Sequence, residues 1–236
     1  MADSRKKQYN SFLLSRFLRK SVALIWPDTC VLCNDTLRTE ESALCLKCLS
    51  EIPRIRTDST IFHVGAPGNA VRVKSWFIYD HLEPAHRLIH DIKYHDCRKL
   101  ARKLGREFAM QKLMDGDIPD IIIPIPIHWT KFIKRSYNQA FEIALGIKDV
   151  TGITVSKNLY TRRAHASQTH NTQEERLENV RDIFALRNPA ELNGRHIAIL
   201  DDVITTGATM LSALSTILAN SSPASVTFLS LAKTSN

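Results

Sequence analysis

From Val71 onward the apolar residues alternate between two periods: short, nearly continuous runs suited to strands, and three-to-four-residue spacings suited to helices. The pattern predicts a strand over 71–79, then a helix with Leu82, Ala85, Leu88, Ile89 and Ile92 on one face and a second helix over 99–114. A buried strand over 120–127 and a helix over 137–150 follow, and Thr172 with Glu175 forms a capping box for a helix reaching about 182. The last elements are strands over 195–201 and 225–232, flanking a helix whose apolar face is Leu211, Leu214, Ile217 and Leu218. Strands alternating with helices imply an α/β fold, a parallel sheet flanked by helices on both faces.

Upstream the pattern changes. Residues 11–26 place Phe12, Leu14, Phe17, Leu18, Val22, Ile25 and Trp26 near helical spacing with Arg16, Arg19 and Lys20 elsewhere on the wheel, a basic amphipathic helix stopped by Pro27 and Asp28. A cysteine module runs from Cys30 to Pro53, and 54–70, broken by Pro67, Gly68 and Asn69, reads as a linker or hairpin. The expected organisation is thus an amphipathic helix over 1–27, a small metal-binding module over 28–53 and an α/β domain over 71–236.

The formal net charge of +8 changes this picture less than it first suggests. The first 20 residues carry six Lys/Arg against Asp3 alone, so they hold +5 and leave +3 for the rest. An anionic partner is therefore argued from that tail and from local clusters. No apolar run is long enough to span a bilayer as a helix, and Arg16, Arg19 and Lys20 interrupt the N-terminal one before it resembles a secretory signal. We expect a cytoplasmic protein without a transmembrane segment, with residues 11–26 either packed on the domain or touching the inner face of the cytoplasmic membrane.

The chemistry concentrates at Ile197 to Thr209, IAILDDVITTGAT. Ile197, Ala198, Ile199 and Leu200 have the continuous apolar character of a central parallel strand, and they deliver Asp201 and Asp202 to its carboxyl end, where open α/β sheets bind ligands. Thr205, Thr206, Gly207, Ala208 and Thr209 then lead into a helix, a loop of hydroxyls, backbone N–H groups and positive dipole suited to an anion. Ionised carboxylates only accept hydrogen bonds, so a ligand rich in hydroxyls belongs at the aspartates and a phosphate in the loop. A ribose 5-phosphate satisfies both.

IAILDDVITTGAT resembles the signature with which type I phosphoribosyltransferases bind phosphoribosyl pyrophosphate (PRPP). The whole chain resembles the ComF family of competence-associated proteins, through its cysteine pairs, KYHDCRKLA from Lys93, IPIPIHWTKFIKRSYNQA from Ile123 and SQTHNTQEERLEN from Ser167. The resemblance implies a type I phosphoribosyltransferase fold with Asp201 and Asp202 on the ribose hydroxyls, the loop 205–209 on the 5′-phosphate, and Lys93 and Tyr94 near a pyrophosphate bound with Mg²⁺. A cation such as Lys93 aimed at a departing diphosphate would stabilise the transition state more than the ground state, so Lys93, Asp201 and Asp202 are the expected catalytic groups. The resemblance also implies a mobile hood that selects the acceptor, built from Arg135, Asn138, Gln139, Arg162, Arg163 and Gln168. Ser136 and Tyr137 stand where the family usually has Gly-Phe, and His170 and Asn171 where it usually has Gly-Leu.

Cys30-x2-Cys33 and Cys45-x2-Cys48, eleven residues apart, have the spacing of two knuckles closing a tetrahedral thiolate site around Zn²⁺. Too few apolar residues accompany them for an independent core, so metal binding would supply the folding energy, on the order of 10 kcal/mol. Cys97 is left single.

Two functions fit. One is Mg²⁺-dependent transfer of ribose 5-phosphate from PRPP to a small acceptor. The other, which the resemblance implies, is a PRPP-binding protein of natural transformation that handles incoming single-stranded DNA alongside the uptake machinery. Zinc knuckles and the basic cluster Lys131, Lys134 and Arg135 suit a phosphate backbone, but only Trp129, Phe132 and Tyr137 lie near them, few aromatics for stacking bases.

Overall fold

A computed structural model describes residues 29–55 apart from 39, 40, 42 and 43, together with 60–63, 70–80, 84–94, 97–114, 116, 118–127, 135–162 and 183–234. The amphipathic stretch 11–26 and the capping-box helix after Thr172 lie outside the described residues. Among the described residues no helix is long and apolar enough to cross a membrane. The chain divides into a unit over Met1–Glu51 and a larger one over Ile52–Asn236.

The smaller unit is built on turns. Thr29 bridges to Thr36, the Cys30 N–H donates to the Asp35 carbonyl, and Asn34 takes the left-handed backbone (φ 63°) that lets the chain reverse between the first two cysteines and the rest. The Glu41 carboxylate accepts from the N–H groups of Arg38 and Leu46, which holds the start of the short helix α1, Leu46–Glu51.

The larger unit has a six-stranded sheet made from β1 (Thr60–His63), β2 (Ala70–Tyr79), β3 (Ile121–Pro124), β4 (Thr154–Val155), β7 (His196–Ile204) and β8 (Ser225–Thr234). Their spatial order is β1-β2-β8-β7-β3-β4, with β1 antiparallel to β2 and every other pair parallel. The stretch before Val71 thus contributes an edge strand of the main sheet. A separate antiparallel pair consists of β5 (Leu159–Thr161) and β6 (Phe184–Leu186).

β3 is shorter than the expected 120–127 because Pro124 and Pro126 have no N–H to give the ladder, although the Ile125 N–H still donates to Leu200. β7 runs three residues beyond the predicted end, and β8 runs two, the two strands staying paired as far as Ile204 and Lys233.

Helices α2 (Pro84–Tyr94), α3 (Arg98–Lys112), α4 (Gln139–Thr151) and α5 (Ala208–Asn220) complete the unit. The buried face of α5 is Met210, Ala213, Leu214 and Ile217, packed with Ile197, Ile199 and Phe228; Leu218, expected on that face, is 43% exposed. The other strand positions, among them Ile122, Ala198, Leu200, Leu229 and Leu231, are also buried, so β3, β7 and β8 are apolar on both faces as a central parallel sheet requires.

α3 and α4 cross with their backbones nearly touching. A Cβ on Gly105 would lie 2.1 Å from the Ile143 carbonyl oxygen, and one on Gly146 would lie 2.0 Å from that of Arg102. Asp149 then accepts from both Arg102 and Arg106 on the exposed side of the crossing.

Candidate functional site

Asp201 and Asp202 lie within the hydrogen-bonded part of β7, where Asp201 is in register with Ser230 of β8. Ser230 in turn is in register with Ser75 of β2, and the two buried hydroxyls are 2.7 Å apart. The Asp202 N–H donates to Asp201 Oδ1 at 2.8 Å. Strand neighbours point to opposite faces, so the two carboxylates diverge: Asp201 is half-buried, and Asp202 is 8% exposed.

Asp202 meets the last turn of α2. Lys93 Nζ lies 3.3 Å from Asp202 Oδ2, with the lysine side chain 21% exposed and the aspartate 11%. A lysine in a last turn already complements the negative end of the helix dipole. The ion pair makes it more than a solvated helix end. Tyr94 closes the same helix.

After Ile204 the chain turns through exposed Thr205 and Thr206 to Gly207, whose φ of 76° falls in the left-handed region that glycine enters without a Cβ penalty. Gly207 is the N-cap of α5 and offers no side chain, so the first turn of the helix, with exposed Ala208 and Thr209, presents its N–H groups outward. The Ala208 N–H leans on Thr206 Oγ1 at 3.4 Å, and the Thr234 hydroxyl donates to the Thr205 carbonyl. These donors follow directly on two carboxylates and one ammonium, an arrangement with the chemistry to take an anion and hydroxyls.

The residues expected of the hood divide. Asn138 is the N-cap of α4: its Oδ1 accepts from the Phe141 N–H and its Nδ2 donates to the Ile125 carbonyl. Gln139 is 3% exposed, accepts from Arg135 at 3.4 Å, and has an unpartnered Nε2 among the described residues. Arg162 is exposed at the end of β5; Arg163 and Gln168 lie outside the described residues, as do Lys131 and Lys134.

Ser136 and Tyr137, one of the two pairs that depart from the family pattern, show why those positions matter; the other pair, His170 and Asn171, lies outside the described residues. Ser136 has a φ of 62°, a left-handed conformation that explains the usual glycine. Tyr137 is 4% exposed, and its hydroxyl donates to the carbonyl of Ile92, the residue before Lys93. Arg98 lies over the Tyr137 ring at 5.3 Å and donates to the Ser136 carbonyl. Tyr137 is therefore unavailable for stacking on a base; it ties the segment before α4 to the end of α2. The hydroxyl that distinguishes it from phenylalanine was the sequence signal for this contact.

The base of the second hairpin is locked by a residue that sequence reasoning missed. Asn158 is buried and fully used, accepting from the Arg187 and Asn188 N–H groups and donating to the Asn188 carbonyl and to Glu191. Nothing in the spacing around Asn158 marks it.

In the smaller unit Cys30, Cys33, Cys45 and Cys48 bring their sulfurs within 4.8 Å of one another. Cys33 and Cys45 are 3.7 Å apart, close to the roughly 3.8 Å edge of a tetrahedron with Zn–S bonds of ~2.3 Å and far from a disulfide's ~2.05 Å. The donor set fits zinc. The Cys48 N–H also donates to Cys45 Sγ, a contact that steadies a thiolate. Burial raises the Cys30 thiol, but N–H groups of Cys45, Cys33 and Leu32 outweigh it and bring it down to about 7. Burial and the neighbouring thiols push Cys48 up, so a dication at this cluster would supply the charge needed for all four to ionise together.

The family model described as "Phosphoribosyl transferase domain" matches residues 94–235. "DNA utilization protein YhgH" of Salmonella typhimurium is 30% identical over 149 residues, 61% of this chain and 65% of that protein. The match therefore spans just under two thirds of that relative's length. "Competence protein F" of Haemophilus influenzae is 26% identical over 201 residues, 77% of this chain and 86% of the relative. Among solved structures, the glutamine PRPP amidotransferase of B. subtilis is 17% identical with a TM-score of 0.41, covering 59% of this chain and 30% of the other. At that score the fold assignment rests on the family match and the strand order.

Proposed function

The chain belongs to the phosphoribosyl transferase domain family and is of the ComF type, and on that premise we propose that it is a PRPP-binding protein that handles single-stranded DNA in competence and DNA utilization. The observation that carries the reading is the approach of Lys93 to Asp202, two residues before the end of β7 and the threonine loop that follows it. Cation, carboxylates and anion cradle occur together, as a ribose bearing a 5-phosphate and a pyrophosphate requires.

In this reading Asp201 and Asp202 accept from the ribose hydroxyls. Thr205, Thr206, Gly207, Ala208 and Thr209 hold the 5′-phosphate through N–H and hydroxyl donors. Lys93 leaves Asp202 for the pyrophosphate, with Tyr94 beside it. Where Mg²⁺ is bound with the pyrophosphate, it would be held chiefly by substrate oxygens and would supply positive charge there. Arg135, Gln139 and Arg162 face the acceptor side, with Arg163 and Gln168 in the same role, and Asn138 acts by fixing the start of α4. Zinc at the four cysteines is structural. The names of the relatives support the DNA process, and the DNA-uptake machinery is the expected partner. A peripheral place at the inner membrane face through residues 11–26 belongs to the same proposal.

Titration calorimetry of the full chain with PRPP and Mg²⁺ tests the site. Binding in the micromolar range or tighter is expected, and no heat of binding overturns it. Pyrophosphate release, followed with and without single-stranded DNA or free bases, measures whether the bound PRPP is turned over.

A further inference from the structure

The hairpin β5–β6 has an inner and an outer face. Leu159 and Phe184, each 4% exposed, belong to the core beneath it, and strand alternation sends the neighbouring positions the other way. Beyond the buried Asn158 and the buried Ala185, which is 6% exposed, those positions are Tyr160 and Arg162 on one strand and Ile183 and Arg187 on the other. Tyr160 is 36% and Ile183 38% exposed, and both arginines are exposed. The Arg187 guanidinium lies over the Tyr160 ring at 5.1 Å, and the Arg162 N–H donates to the Ile183 carbonyl, extending the pairing by one step. No carboxylate occupies any of these positions.

We propose that this outer face, centred on Tyr160 and Arg187, is where the protein stacks the bases and holds the backbone of a single-stranded nucleic acid. The proposal rests on the DNA-handling reading and gives it a surface. An aromatic ring exposed between two permanent cations offers what a single strand presents in alternation: a flat base and an anionic phosphate. A duplex offers no free base face to the ring. The charge is complementary, and the Arg187 guanidinium lies over one face of the Tyr160 ring, so a base would stack on the opposite face. Asn158 anchors the base of the hairpin through four hydrogen bonds, so the face is presented by a fixed support.

The test is the anisotropy of a short fluorescent oligothymidylate titrated with the full zinc-loaded chain across a salt series. For the intact protein we expect binding that weakens with salt and exceeds that of the matched duplex. Tyr160→Ala should weaken single-strand binding roughly 5- to 150-fold, the measured span for one base–aromatic stack. Tyr160→Leu should do the same, while Tyr160→Phe retains affinity because the ring alone is required. Arg187→Gln should flatten the log–log salt slope by about 0.7. PRPP affinity, unchanged in all four, certifies that each variant is folded. No single-strand binding by the intact protein overturns the DNA-handling reading and this surface with it. Intact binding that Tyr160→Leu and Arg187→Gln leave untouched overturns the surface alone, as does equal binding of duplex with Tyr160→Phe as weak as Tyr160→Ala.

Discussion

Lys93 and Asp202 neutralise each other across the junction of α2 and β7, 3.3 Å apart and mostly withdrawn from solvent. A pyrophosphate arriving there competes with Asp202 for the ammonium, and the released carboxylate becomes free to accept from a hydroxyl. The two residues therefore act as a unit. Lys93→Met and Asp202→Asn should each weaken PRPP binding at least tenfold, and the double variant should depart from additivity by about 0.5–3 kcal/mol. Calorimetric titration of the four proteins gives the cycle; strict additivity would contradict the coupling.

The Asp201→Ala, Asp202→Ala double variant should lose PRPP binding while keeping its far-ultraviolet circular dichroism, because neither side chain builds the apolar core. An unchanged dissociation constant would remove the ribose assignment.

Thr206→Val keeps the shape of the loop and deletes one hydroxyl. Weakening of PRPP binding by about 1–3 kcal/mol is expected, as for a charge-assisted donor lost to a phosphate. The side chain is exposed, so the thermal midpoint should hardly move, and the two measurements separate binding from stability.

One zinc per chain should be found by metal analysis, and Cys30→Ser or Cys45→Ser should lose it. A strong chelator should melt the Met1–Glu51 unit selectively, with the transition of the larger unit remaining. Metal-free protein carrying paired disulfides by mass spectrometry would refute the site.

Asp149 sits between two guanidinium groups, and its carboxyl is held well below the usual carboxylate range, first by Arg102 and then by Arg106. Its contribution to stability is present above the unfolded value near pH 4 and is lost only as the pH falls through its own lower value. The cluster is solvent-exposed, so the gain is small and sensitive to salt. Thermal midpoints taken from pH 7 down to about 2 should fall less steeply in Asp149→Asn than in the unaltered chain.

Period and motif made the core of the fold readable in advance. The runs at 71–79, 195–201 and 225–232 predict the three long strands within a few residues, and at Ile197–Leu200 burial on both faces leaves no polar alternation to confuse the reading. The ends were less legible. Asp201 and Asp202 carry charge and look like the end of a strand, yet β8 continues beside them and keeps the ladder closed through Ile204. The cysteine cluster was readable from spacing alone. The strands β4, β5 and β6 were not, since two or three residues are too few to show a period, and their pairing depends on contacts such as Asn158 with Asn188 that join positions 30 residues apart. Asn138, expected in the hood, also caps α4, a role its type serves well and its sequence context did not announce.

The placement of Asp201 and Asp202 inside a paired strand also limits how this protein can evolve. Adding or removing one residue between Ile197 and Asp201 would slip the register and turn both carboxylates onto the wrong faces. The site can drift by substitution but not by length. The spacing from Ile197 to Ile204 should therefore stay constant among descendants.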